Sequence, residues 1–206
     1  MEKRIGIPIL FVVLMWVINV IQFIFHLDFG ALGIHPKDKS TLIGILTAPL
    51  IHGNWEHLLS NTLPLFIFGI VLFLIYPSIA LRVWILNYII TGFLVWCFAR
   101  TGSYHIGASG IIYGLGAFLL CSGFLRMDMS SIAIASGVSI FYGGMVWGLF
   151  PLQPNVSWES HVMGGITGAA LAYIYRNKKE RNVEIAAEET ENTKRKSFED
   201  FINHQK

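Results

Sequence analysis

Hydrophobic and polar positions along this chain fall in blocks, with no sustained period of 2 or 3.6. Apolar runs cover 5–27, 58–76, 78–98, 107–124, 130–150 and 158–175, and the second has its first turn back at Asn54. A stretch of about 20 apolar residues spans a bilayer as a helix, so the pattern predicts six transmembrane helices and an all-α, polytopic membrane fold. The first run lacks a small-residue cleavage site and is long enough to span, so it reads as a retained helix and not a signal peptide. The connections are short except for 28–53. That loop is itself fairly apolar (Phe29, Leu32, Ile34, Leu42, Ile45) and is expected to lie in the membrane interface. After Arg176 the composition turns polar and charged. The expected organisation is a six-helix membrane core, 1–176, followed by a cytoplasmic tail, 177–206, mobile or weakly helical. No 20–50-residue repeat is visible.

Composition agrees. The 206 residues are 54% hydrophobic and 14% charged, too little charge to cover a soluble domain of this size. A net charge of +2 gives no reason to expect a nucleic-acid partner. Cys97 and Cys121 lie in apolar runs and read as small core residues. Lys and Arg set the orientation. With the N-terminus in the cytoplasm, Lys3, Arg4, Arg82, Arg126, Arg176, Lys178, Lys179 and Arg181 fall inside, and Lys37, Lys39 and Arg100 outside. That asymmetry predicts both termini in the cytoplasm of a multi-pass protein of the plasma (inner) membrane.

Parity then places three polar groups together. Spans two, four and six all run outward-to-inward, so their N-terminal ends share one leaflet. His57 and Asn61 sit at the start of span two, Ser109 at the start of span four and His161 at the start of span six. Gly110 and Gly114 on span four, and Gly164 and Gly168 on span six, have the i, i+4 spacing that lets helices approach closely in lipid. If those stripes face each other, Ser109 and His161 come within hydrogen-bond reach. His57 and Asn61 share a helix face, whereas His52 is expected to precede the helix, with Asn54 as its N-cap.

A serine hydroxyl needs a base to become a nucleophile, and a histidine supplies one. Glycines beside Ser109 allow close backbone approach, and the helix start offers unpaired N–H donors to an oxyanion. With no carboxylate well inside a span, a Ser-His dyad is the natural proposal. Ionisable groups within spans are functional by default, and it is their matched depth that makes this combination informative.

These stretches resemble the rhomboid intramembrane serine proteases. His52-x4-His57-x3-Asn61 is similar to the family's second-helix pattern, Gly107-Ala108-Ser109-Gly110 with Tyr113 to its nucleophile motif, and His161-x2-Gly164-x3-Gly168 to its sixth-helix motif. The resemblance implies Ser109 as nucleophile and His161 as general base. It implies an oxyanion site from the Ser109 N–H, His57 and Asn61, Tyr113 packed on the His161 ring, and His52 ordering the site and its waters. It further implies transmembrane protein substrates, small residues near the cleavage point, and a lateral gate at span five and the loop 151–157. The first loop lacks the Trp-Arg pair that many members carry.

Other readings fit less well. A rhomboid-like protein that binds transmembrane partners without cutting them predicts a missing nucleophile or base, and both are present. A metal or haem site on His52, His57 and His161 would leave the serine idle. The histidines lack the His-Glu-x-x-His spacing of a zinc helix, so no metal or cofactor is expected. A transporter predicts inverted repeats, and none is clear.

Overall fold

The computed structural model describes residues 2–152 and 156–178. The expected tail, 177–206, lies outside the described residues except for Asn177 and Lys178, as do residues 153–155 of the loop 151–157.

Helix α1 (Glu2–Ile24) is followed by the long first loop, which holds short 3₁₀ turns and the one-turn helix α2 (Gly44–Thr47). Then come α3 (Trp55–Ile75), α4 (Ala80–Phe98), α5 (Ser109–Arg126), α6 (Met129–Tyr142) and α7 (Trp158–Ile174). Among the described residues, five helical segments are long and apolar enough to cross a membrane: Ile5–Ile24, Trp55–Ile75, Ala80–Phe98, Ser109–Arg126 and Met129–Leu149. The sixth predicted span is α7, whose 17 residues stand at the short end of the spanning range.

Two boundaries differ from the sequence pattern. The first helix stops at Ile24, short of 27, and His26 turns the chain at φ 52°. The fifth run is α-helical only to Tyr142 and continues as a 3₁₀ segment, Gly143–Leu149. Hydropathy runs straight through this point, but the consecutive glycines Gly143 and Gly144 weaken the α-helix there.

Helix α5 is the centre of the bundle and buries ten of its residues, among them Gly110, Gly114, Leu115, Phe118 and Leu119. The core around it draws Met15 from α1, Leu58, Leu65, Phe68 and Leu72 from α3, Val83 from α4, and Leu171 from α7. Its contact with α7 is made backbone to backbone. A Cβ added at Gly164 would stand 2.0 Å from the Gly110 oxygen, and one at Gly168 would stand 1.9 Å from the Gly114 oxygen. The two glycine stripes therefore face each other. In α4, Asn87 fills the notch on the other side of Gly114 and donates from Nδ2 to the Ile111 carbonyl at 2.9 Å.

Helix α6 is packed differently. It buries only Ser131 and Ala135, both in its first half. There Ala135 fits against Gly123, and the Tyr76 hydroxyl donates to Ser131 Oγ at 2.9 Å. Cys97 and Cys121 are half-buried and unlinked.

The first loop folds back on α4 and on the segment that leads into α5. Ile34 and His105 exchange both backbone hydrogen bonds, at 2.9 and 2.8 Å. Trp96 Nε1 donates to the Asp38 carbonyl at 2.9 Å, and the Gly107 N–H donates to the Ala48 carbonyl at 2.9 Å. These bonds hold the residues just before Ser109.

Candidate active site

Ser109 is the first residue of α5 and His161 lies in the first turn of α7. With the glycine stripes in contact, Ser109 Oγ and His161 Nε2 stand 2.8 Å apart. The other ring nitrogen, Nδ1, is 2.7 Å from the Gly148 carbonyl. A carbonyl only accepts, so Nδ1 carries the proton, Nε2 is the acceptor, and the serine hydroxyl donates to it. Tyr113, one turn into α5, lies flat on the imidazole, with ring centroids 4.1 Å apart and planes 6° from parallel. Its hydroxyl donates to the Met145 carbonyl at 2.6 Å.

Around the serine the backbone is shaped by Gly107, at φ 102°. L side chains rarely adopt this conformation, and there is no room for one: a Cβ at 107 would lie 2.6 Å from the His57 ring. As the first residue of its helix, Ser109 has a backbone N–H with no intrahelical acceptor.

Helix α3 enters beside it. Asn54 is its N-cap, with Oδ1 accepting from the His57 N–H at 2.8 Å. Asn61 Nδ2 donates to the His57 carbonyl at 2.7 Å, while its buried Oδ1 has no partner among the described residues. Ser109, His161, His57, Asn61 and Tyr113 all line one cavity of about 770 Å³.

His52 precedes α3, is fully buried and meets the His57 ring edge-on at 4.8 Å. Its Nε2 is 3.5 Å from the Ala108 N–H. Burial first, and then the neighbouring His57 charge, hold its pKa down to about 3, so it is neutral.

The pattern along the chain did not single out the groups that hold His52. Asn19, fully buried on α1, accepts the His52 N–H at 2.7 Å and donates to the Met15 and Leu50 carbonyls at 2.6 and 2.7 Å. Gln22, one turn on, donates to the His52 carbonyl at 2.9 Å. Two amides three residues apart in an apolar span were the available signal.

The start of α7 was also missed. Glu159 is buried and pairs with Arg100 at 3.3 Å, and His105 Nδ1 meets Ser157 Oγ at 2.5 Å. Gly148 and Met145 act through backbone oxygens and leave no sequence signal.

Among the described residues, no group of three or more His, Cys, Asp or Glu side chains could hold a metal ion.

Comparison with known families adds a second line of evidence. The model of the Rhomboid domain matches residues 39–178, about two thirds of the chain. The chain belongs to the rhomboid family. Rhomboid proteins are generally intramembrane serine proteases, and the matched region takes in α3 through α7 and the polar groups described above. The chain is 34% identical over 174 residues to uncharacterized proteins of Mycobacterium bovis and Mycobacterium tuberculosis, covering 80% of this chain and 72% of theirs. It is also 34% identical over 179 residues to an uncharacterized protein of Mycobacterium leprae, covering 82% of this chain and 70% of that one. As a rhomboid protein with these apolar helices, it is an integral membrane protein.

Proposed function

We propose that this rhomboid protein is a serine endopeptidase that hydrolyses peptide bonds in or near the transmembrane segments of other membrane proteins. The observation that carries the reading is the 2.8 Å contact between Ser109 Oγ and the acceptor nitrogen of His161, with Nδ1 engaged at Gly148. In this reading Ser109 attacks the scissile carbonyl and His161 takes its proton. The oxyanion is met by the Ser109 N–H, the His57 ring and the second hydrogen of Asn61 Nδ2. His161 then returns the proton to the leaving amine, and a water activated by the same imidazole releases the acyl-enzyme. No cofactor takes part.

A substrate helix seals its peptide bonds with internal hydrogen bonds, so it must unwind locally before attack. Glycine or proline near the cleavage point lowers that cost. Substrates reach the cavity sideways from the bilayer. The Lys and Arg distribution supports a plasma-membrane location with both termini in the cytoplasm and the cavity toward the outer leaflet.

The test is labelling of the purified protein in detergent by a fluorophosphonate, which reacts with activated serines. The expected result is labelling of wild type and loss of it in both Ser109→Ala and His161→Ala. Folded wild type that neither labels above Ser109→Ala nor cleaves a transmembrane substrate would leave a protein that binds transmembrane partners without cutting them.

A further inference from the structure

The base has a third partner, and it is not a carboxylate. Glu159 is two residues from His161, but its Oε1 is engaged by Arg100 at 3.3 Å, and the imidazole Nδ1 meets the Gly148 carbonyl. That carbonyl is delivered by the 3₁₀ segment Gly143–Leu149, whose Met145 carbonyl accepts from Tyr113, the ring stacked on the same imidazole. One short segment thus holds both members of the stack.

Its own packing is light. No residue of the segment is fully buried, Met145 alone packs partly buried against the core, and the α6 helix that carries it has its two buried residues, Ser131 and Ala135, in its far half. Position 148 also tolerates nothing larger than glycine while the contact is made. A Cβ there would stand 1.9 Å from the Tyr113 hydroxyl oxygen and 3.1 Å from His161 Nδ1.

We infer that Gly148 is a positioning residue whose carbonyl does the work a carboxylate does in a triad. It holds the imidazole in the tautomer that leaves Nε2 free for Ser109, and it steadies the imidazolium once the proton has moved. A carbonyl cannot donate, so it selects the tautomer as firmly as a carboxylate. Because its carrier is lightly packed, the base is complete only while the Gly143–Leu149 segment is seated on Tyr113 and His161. The inference rests on the proposed endopeptidase reading.

The contact is tested by replacing Leu149 with its α-hydroxy acid. The amide joining 148 to 149 becomes an ester, and the Gly148 oxygen becomes a poorer acceptor with every side chain retained. Tyr113, His57 and Glu159, the titratable neighbours of His161, stay in place. The control is the same replacement at Phe150, which removes the N–H bond to Trp147 but spares the Gly148 carbonyl.

The expected result at 149 is a kcat lower by about 10-fold, the worth of a weakened charge-assisted bond, with KM little changed. The acidic limb of the kcat profile moves to lower pH, because an imidazolium with a poorer acceptor forms less readily. The ester at 150 leaves both unchanged. A second measurement uses Gly148→Ala, compared alone and combined with Tyr113→Phe, in protein whose melting temperature is that of wild type. The single variant loses kcat, and removal of the obstructing hydroxyl restores part of it.

Wild-type kcat and pH profile in the 149 ester, or equal effects of the two esters, would overturn the inference and leave the endopeptidase reading standing. Wild type that neither labels nor cleaves would remove that reading, and this inference with it.

Discussion

The backbone oxygen of Gly110 occupies the space where a side chain on Gly164 would begin, 2.0 Å from the position of its Cβ. This contact lies one residue from Ser109 and three from His161, so it sets the spacing of the pair. Gly164→Ala must push α7 off α5, because a backbone oxygen has no rotamer to escape into. The expected cost is about 1–3 kcal/mol or more, together with loss of fluorophosphonate labelling. Gly165 has nothing within 4 Å of its Cβ position, so Gly165→Ala is expected to be neutral or to stabilise by up to about 1 kcal/mol. Thermal unfolding in detergent compares the two. Equal melting temperatures would contradict the packing argument.

Asn19 ties α1 to the segment before α3 through two hydrogen bonds, accepting the His52 N–H and donating to the Leu50 carbonyl, and it also donates to the Met15 carbonyl of its own helix. Asn19→Ala leaves the buried His52 N–H without its acceptor and removes a donor from the Leu50 carbonyl, at roughly 1–3 kcal/mol. Because His52 touches both His57 and the Ala108 N–H, labelling of Ser109 is expected to fall as well. A variant with a lowered melting temperature but wild-type labelling at a temperature where it is fully folded would limit Asn19 to stability.

Gly107→Ala combines two penalties, a left-handed φ of 102° and a collision with the His57 ring. Strain of this kind costs of order 1–3 kcal/mol, and relief requires His57 to move out of the proposed oxyanion site. The expected outcome is a kcat reduced by about 10-fold or more, while Ser109 and His161 keep their mutual contact. An unchanged kcat in cleavage of a transmembrane substrate would count against the role given to His57.

Stability is expected to fall with acid through two histidines outside the spans. His52 is held down to about 3 by burial and then by His57; burial also lowers His105 more than the Arg100 carbonyl and Glu159 raise it. Above pH 6.5 both are neutral in the folded and unfolded chain, and their contribution is complete. As pH drops from 6.5 toward the folded values, only the unfolded chain takes up these protons. Stability is then lost at up to about 1.4 kcal/mol per pH unit for each group. Unfolding midpoints between pH 7.5 and 4.5 should decline more steeply for wild type than for His105→Asn. Parallel curves would show that His105 does not carry the effect.

The amino-acid sequence by itself determined the all-helical membrane architecture, because a bilayer requires long apolar helices whose backbone bonds close internally. It also placed the small-residue stripes of α5 and α7, and it put Ser109, His161, His57 and Asn61 at helix starts on one side by simple parity. Those features are properties of composition and of i, i+4 spacing, and both can be read locally. What only the tertiary structure decided is how these groups are held. Hydropathy runs unbroken across Gly143–Gly144, where the chain tightens into a 3₁₀ segment. The partners of His52 come from α1, 30 and 33 residues away. The acceptors of His161 and Tyr113 are main-chain oxygens of Gly148 and Met145. Every residue carries such an oxygen, so no residue type marks the ones that matter. Their selection depends on where the backbone of one element ends against the side chains of another, and that is settled only when the helices pack.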